Sequence, residues 1–190
     1  TYSYDSNGNI ASVTNPAGKT TTNTYDSIGQ KLSQTTAEGY KTQWNYDKNG
    51  KVLREIDPDE GVKRYVYDTT GKLLLEANQK LYDASKDNTE TNNYTGTEGT
   101  KYEWYDNGYQ KSITDAEGNR IQYTWDIYGN RKEETKPNGS IFRYEYDSLN
   151  RLVKTYFKEN SMSAEVLLNS TDYGLLENGN SRITTSEYAS

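Results

Sequence analysis

An aromatic residue followed by Asp, with Gly three places after the Asp, returns along this chain at a fixed interval, and that return limits the fold more than any other feature. The copies end on Gly8, Gly29, Gly50, Gly71, Gly108, Gly129 and, with Asn in the glycine place, Asn150. They stand 21 residues apart, except for a step of 37 between Gly71 and Gly108. An insertion of 16 residues between about Glu76 and Thr97 accounts for the long step, and the count of 21 then resumes without drift.

The physics of one copy is legible in WNYDKNGKVL, Trp44 to Leu53. Four places before the glycine stands Tyr4, Tyr25, Tyr46, Tyr67, Trp104, Trp125 or Tyr146. Six places before it stands Tyr2, Asn23, Trp44, Tyr65, Tyr102, Tyr123 or Tyr144. Positions two apart share a strand face, so one face is aromatic. Ser3, Asn45, Thr124 and Glu145 put polar groups on the other, the alternation of a half-buried antiparallel strand.

Asp5, Asp26, Asp47, Asp68, Asp126 and Asp147 then open a turn. The carboxylate accepts a backbone N–H two residues on, and Gly supplies the positive φ that closes a three-residue hairpin loop with a bulge. Asn150 suits the same conformation, and Tyr105 takes the Asp place in the fifth copy. This turn sets Tyr4 opposite Ile10, Tyr46 opposite Val52, Tyr67 opposite Leu73 and Tyr146 opposite Leu152, contacts worth roughly 0.2 to 1 kcal/mol each. It also faces Tyr25 with Lys31, Trp104 with Gln110, and Trp125 with Arg131, whose cation can lie over the ring.

Composition bears on whether such a chain folds at all. With 31% hydrophobic residues and a mean hydropathy of −1.12, the chain sits near the disordered range. Its 19 tyrosines and 3 tryptophans carry apolar area that a count of aliphatics understates, so the core is expected to be an aromatic ladder. A net charge of −6 with lysines and acids interspersed argues against a nucleic-acid partner. No apolar run of about 20 residues occurs, which argues against membrane insertion. Cysteine is absent, which removes disulfides and thiolate metal sites.

A second turn follows the second strand of each copy, at Asn15-Pro16-Ala17-Gly18, Ala37-Glu38-Gly39, Asp57 to Gly61, Asp115 to Gly118 and Lys136 to Gly139. All three prolines fall there, where a sheet tolerates them. Two strands and two turns per copy make an up-and-down antiparallel meander, all β, forming a curved, open sheet. Residues 1–77 and 98–155 carry the repeats, 78–97 form a polar insertion expected to be an exposed loop, and 156–190 form a degenerate repeat. Removing Asn78 to Asn93 is expected to leave the fold intact, because the repeat phase runs through the insertion. Beyond Asn150, strands are expected at Lys154–Phe157, Glu165–Asn169 and Arg182–Tyr188, with Asn160–Ala164 a break and a turn at Asn178-Gly179. Since Tyr2 and Tyr4 already occupy paired aromatic places, the chain reads as cut from a longer array, with strand edges that invite self-association.

The pairs Tyr25-Asp26, Tyr46-Asp47, Tyr67-Asp68, Trp125-Asp126 and Tyr146-Asp147, each with Gly or Asn three places later and Lys or Arg soon after, resemble the YD repeat of the RHS family. The resemblance covers Thr1 to about Thr155. It implies a strip of antiparallel sheet that spirals into a hollow shell, as in bacterial RHS polymorphic toxins, insecticidal toxin complexes and teneurins. There the shell encloses a toxic carboxyl-terminal domain or serves adhesion. The partners it implies are the rest of the same polypeptide and an enclosed domain, at the surface of a bacterium or secreted from it. The family's self-cleaving carboxylates lie beyond the repeats and have no matching stretch here, so autoproteolysis is not carried over.

Histidine and cysteine, the commonest bases, nucleophiles and transition-metal ligands, are both missing. Paired carboxylates could serve glycoside hydrolysis, but acids that return with the repeat read as turn formers. The reading is therefore non-catalytic, with no cofactor. Asp57, Asp59 and Glu60 share one turn and bring calcium to mind, yet Pro58 and the lack of regularly spaced ligands favour a solvated turn. The rival class is a carbohydrate or cell-wall binding module, since Tyr- and Trp-rich repeats of about this length also clasp glycans; those carry adjacent aromatics and another glycine spacing.

Overall fold

The computed structural model describes residues 1–89, 91, 93–175 and 181–187. The chain divides into two compact units, Thr1–Lys101 and Tyr102–Ser190. In the first, β1 (Tyr2–Tyr4), β2 (Ile10–Thr14), β3 (Thr20–Tyr25), β4 (Lys31–Thr35), β5 (Lys41–Tyr46), β6 (Val52–Ile56), β7 (Val62–Tyr67) and β8 (Leu73–Ala77) form an antiparallel meander, each strand paired with the next. Residues of the insertion form a 3-10 turn at Ala84–Lys86 and a two-stranded ribbon of β9 (Asp87–Asn88) and β10 (Asn93–Tyr94). The chain re-enters the sheet at β11 (Thr100–Trp104), where Thr100 lies opposite Glu76 and Lys101 opposite Leu75.

The second unit continues as β12 (Gln110–Thr114), β13 (Arg120–Trp125), β14 (Arg131–Thr135), β15 (Ile141–Tyr146), β16 (Leu152–Lys158), β17 (Val166–Leu175) and β18 (Ser181–Glu187), again paired in sequence order. No pair among the described residues closes either meander into a ring. No α-helix occurs among them. The expected strand after the break at Asn160–Ala164 is present and runs on to Leu175; the Asn178-Gly179 turn and Tyr188 lie outside the described residues.

Turn chemistry explains the regularity. The Gly50 N–H donates to the Asp47 carbonyl at 3.1 Å, and the Asp47 N–H donates to the Lys51 carbonyl at 2.9 Å. Gly50 has φ +80 and Asn150 +59, the left-handed conformation in which an L side chain costs roughly 1–2 kcal/mol. The same pair of bonds recurs in the second turns, for instance Gly118 N–H to the Asp115 carbonyl at 3.2 Å. At Asp57 the left-handed residue is Glu60, φ +64, rather than Gly61 beside it. That turn is the one place among the second turns where a side chain other than glycine bears the strain.

The pairings read from the sequence are present: Tyr4 faces Ile10, Tyr25 Lys31, Tyr46 Val52, Tyr67 Leu73, Trp125 Arg131 and Tyr146 Leu152. Each lies at a shift of register just before the aromatic, such as Asn45/Tyr46 and Glu145/Tyr146, which is the bulge that the loop requires.

Two expectations change. The aromatic face is only half-buried, and Tyr2 and Tyr4 are 60% and 62% exposed. The best-packed cluster is instead Leu75, Ala77 and Tyr94 with Val66 and Tyr82. Val66 lies opposite Leu75, and Arg64 opposite Ala77; by strand alternation all four occupy the face away from Tyr65 and Tyr67. In other copies that face carries hydroxyls, with Ser3 bonded to Ser12 and Thr24 to Ser33, both at 2.7 Å.

The change of face follows from the second correction. Much of the insertion is exposed, but it is not a free loop: Tyr94 is buried at 7% exposure and the Asp87 side chain is wholly buried. Asp87 and Tyr82 thus give Asn78 to Asn93 packed partners that the expectation of an exposed loop did not include. Gly99 shows how tightly its return is fitted, since a Cβ there would meet the Glu76 carbonyl oxygen at 2.3 Å at φ +141.

Candidate functional site

The recurring unit of chemistry is the joint between one copy and the one before it. At Asp47, Oδ1 accepts the N–H of Asn49 at 2.8 Å and that of Lys51 at 2.8 Å. Asp5, Asp26, Asp68, Asp126 and Asp147 bind the corresponding amides in the same way. In four copies the residue after the glycine place also reaches Oδ2, through Asn9, Gln30, Asn130 or Arg151. These bonds favour the ionised carboxyl, so Asp5 and Asp126 sit below the usual value, chiefly through Asn9 and Asn130. At Asp26 desolvation pushes upward, and the amide and side chain of Gln30 outweigh it. The fifth copy, with Tyr105 for Asp, keeps the turn by its backbone bonds, Gly108 N–H to the Tyr105 carbonyl at 2.9 Å, and Asn107 Oδ1 accepts the Tyr109 N–H at 3.2 Å.

The aromatic that precedes Asp is used for more than its area. The hydroxyl of Tyr25 donates to the Ile10 carbonyl at 3.1 Å, Tyr46 to Lys31 at 2.7 Å and Tyr146 to Arg131 at 2.9 Å. Trp125 makes the same reach with its indole Nε1–H, to Gln110 at 2.7 Å. In each case the acceptor lies 15 residues earlier, two places after the preceding glycine, where the bulge leaves a carbonyl to be satisfied. The repeat therefore selects an aromatic with a donor at its tip. Arg131 lies over Tyr123 at 4.9 Å and over Trp125 at 6.0 Å.

A second kind of site is the ionic clamp that seats the insertion. Arg54 grips Asp87 with two parallel bonds of 2.7 Å, Arg64 Nε reaches Oδ1 at 3.3 Å, and the Tyr82 hydroxyl donates to Oδ2 at 2.9 Å. Side-chain exposures of 5%, 1% and 0% for Arg54, Arg64 and Asp87 place the clamp out of water. Desolvation raises the Asp87 carboxyl, but Arg54, Tyr82 and Arg64 together hold it below the usual range. Tyr94 stacks on Tyr82 at 5.8 Å and takes Arg64 over its ring at 5.6 Å. In the second unit Glu134, only 8% exposed, is held by Arg131 at 2.6 Å and by Lys136.

Neither clamp was named from the sequence. A signal existed: Arg54 stands where other copies have Ser12, Ser33 and Ser112, just ahead of an insertion carrying acids. Asp57, Asp59 and Glu60 do not converge as ligands, because Asp57 Oδ1 is taken by the N–H groups of Asp59 and Gly61. Asp57 Oδ2 is taken by Gln79.

The model of the RHS Repeat family matches residues 4–43 and 104–141. No curated protein matches the chain. Among solved structures the chain is similar to the crystal structure of TcdB2-TccC3-Cdc42, at 18% identity and a TM-score of 0.61. It is similar also to TcdB2-TccC3, at 18% and 0.60, and to TcdB2-TccC3 without its hypervariable C-terminal region, at 16% and 0.58. Each alignment covers 91% of this chain and 11% of that chain, so the chain spans about a tenth of the length of those it matches.

Proposed function

Starting from a chain that carries RHS repeats, we propose that it is a non-catalytic wall segment of a shell that encloses or displays a toxin or effector domain. The observation that carries the reading is the joint described above: four copies, at Tyr25, Tyr46, Trp125 and Tyr146, fasten their aromatic to a carbonyl of the copy before. A sheet built this way lengthens by whole repeats without any copy needing a partner across the sheet, which suits a wall more than a compact domain. The turn carboxylates are engaged in holding the hairpins, which supports a role without chemistry. The likeness to parts of TcdB2-TccC3 supports the sheet architecture on which the reading rests. The partners on this reading are further repeats and an enclosed domain of the same polypeptide, in a secreted or surface protein of a bacterium.

The test is protease protection of the full-length gene product, followed by electron microscopy. A hollow particle that shields a further domain until the wall is denatured is the expected result. A solid particle, or a further domain cleaved as fast as in isolation, overturns the reading.

A further inference from the structure

Two cavities lie at matching places of the repeat. One, of about 420 Å³, sits in the first unit between Asp47 and Asp68. The other, of about 260 Å³, sits in the second unit between Asp126 and Asp147. Leu53 and Lys132 occupy the same repeat position in the two linings, as do Val66 and Glu145. The first is therefore apolar where the second is charged, and the insertion adds Tyr94 and Asn93 to its wall.

The carboxylates differ as well. At the second cavity Oδ2 of Asp126 is bonded by Asn130 at 2.9 Å and Oδ2 of Asp147 by Arg151 at 2.7 Å. At the first, the residues after the glycines are Lys51 and Lys72, and each gives only its backbone N–H, to Oδ1. The Lys51 ammonium lies instead over the Tyr67 ring at 5.9 Å. Among the described residues, Oδ2 of Asp47 and of Asp68 receive no side-chain bond of the kind seen in the other copies.

We propose that the insertion turns this inter-repeat groove into a binding pocket for a pyranose unit of a glycan. The size suits a small ligand. Val66, backed by the buried Leu53 and Tyr94, offers apolar surface to the C–H face of a sugar ring, while two carboxylate oxygens accept from neighbouring hydroxyls. The Asn93 amide and the Lys48 ammonium complete a set of acceptors and donors. Two acids against one lysine disfavour an anionic ligand. Arg64 does not reverse that balance, because its donors already serve Asp87 and the carbonyls of Leu53 and Tyr65. This inference stands apart from the wall reading and fails separately from it.

The test is a titration of the isotope-labelled chain followed by amide chemical shifts, with methyl glucopyranoside, glucosamine, glucuronate and butylammonium as probes. Asp47→Asn and Asp68→Asn together remove both acceptors and keep the turns, since Asn15 already makes the same two amide bonds in its own turn. Asp126→Asn with Asp147→Asn is the control. Saturable shifts at Lys48, Asp68 and Asn93 with either neutral or amino sugar are expected, weakened at least about tenfold in the first double variant and unchanged in the control. Glucuronate is expected to bind at least about tenfold more weakly than glucosamine. No saturation below about 50 mM, equal binding by the first double variant, or butylammonium binding as well as the sugars overturns the proposal.

Discussion

The hairpin joints and the insertion hold the first unit by opposite means. Each joint is a small set of bonds, a carboxylate on two amides joined, at Tyr25 and Tyr46, by a hydroxyl on one carbonyl. The insertion depends on one place, where a single buried carboxylate meets two arginines and a tyrosine. Distributed bonding tolerates the exchange of a member, as the Tyr105 copy shows by keeping its turn without the acid, with Asn107 Oδ1 taking one of the two amides. Concentrated bonding does not, because a partner removed from a buried cluster leaves charge behind with nothing to compensate it.

The sharpest way to break this comparison is Asp87→Ala. It strands Arg54 and Arg64 under the cap, and a loss of about 3–5 kcal/mol is expected in denaturant unfolding. A loss below about 1 kcal/mol would show the cap to be held by packing alone. The clamp has a pH signature too. A carboxyl held below its ordinary 3.8 contributes fully above that value and loses its contribution only as pH falls through the lower folded value. The cap should therefore resist proteolysis equally at about pH 7 and about pH 5, and open only in stronger acid.

Next in size is Gly99→Ala, which sets a Cβ against the Glu76 carbonyl and should cost about 1–3 kcal/mol. Among the joints, Gly50→Val forces a β-branched residue to positive φ and should cost more than about 1 kcal/mol, with Gly29→Asn costing much less. Equal losses in unfolding would undo the turn assignment.

Smaller still is a pair that separates ring from hydroxyl. Tyr46→Phe should cost about 0.5–1.5 kcal/mol by orphaning the Lys31 carbonyl. Tyr67→Phe should cost nearly nothing, because Tyr67 makes no such bond among the described residues. The smallest effect has the opposite sign: Glu60→Gly relieves the left-handed strain at φ +64 and should raise stability by about 0.5 kcal/mol. Unfolding midpoints at constant slope read each of these.

What could be read from residues alone was whatever depends on near neighbours. The turn at Asp47, the bulge before Tyr46 and the pairing of Tyr46 with Val52 all follow from fewer than about ten residues of local chemistry. The hydroxyl tie was not read, because its acceptor is a backbone atom one copy away and carries no residue type. Asp87 was not read because it lies 33 residues from Arg54, in a stretch whose composition is that of a solvated loop. Polar content describes a segment's average, whereas its place in the fold was decided by Tyr82, Tyr94 and one acid.

The hydroxyl tie has one more consequence, which concerns time rather than shape. Whereas Tyr105, in the Asp place of the fifth copy, reaches forward to the Tyr123 carbonyl at 3.1 Å, the four ties made by the aromatic before the Asp place all look back along the chain: Tyr25 to Ile10, Tyr46 to Lys31, Trp125 to Gln110 and Tyr146 to Arg131. The ladder is thus polar, and a copy leaving the ribosome finds its acceptor already synthesised and already set at a bulge. These four ties need nothing downstream, unlike Arg54 and Arg64, which wait for Asp87. Assembly in the order of translation lets each of these four ties close while the next copy is still being made, so along them the wall can be laid course upon course from its amino-terminal end.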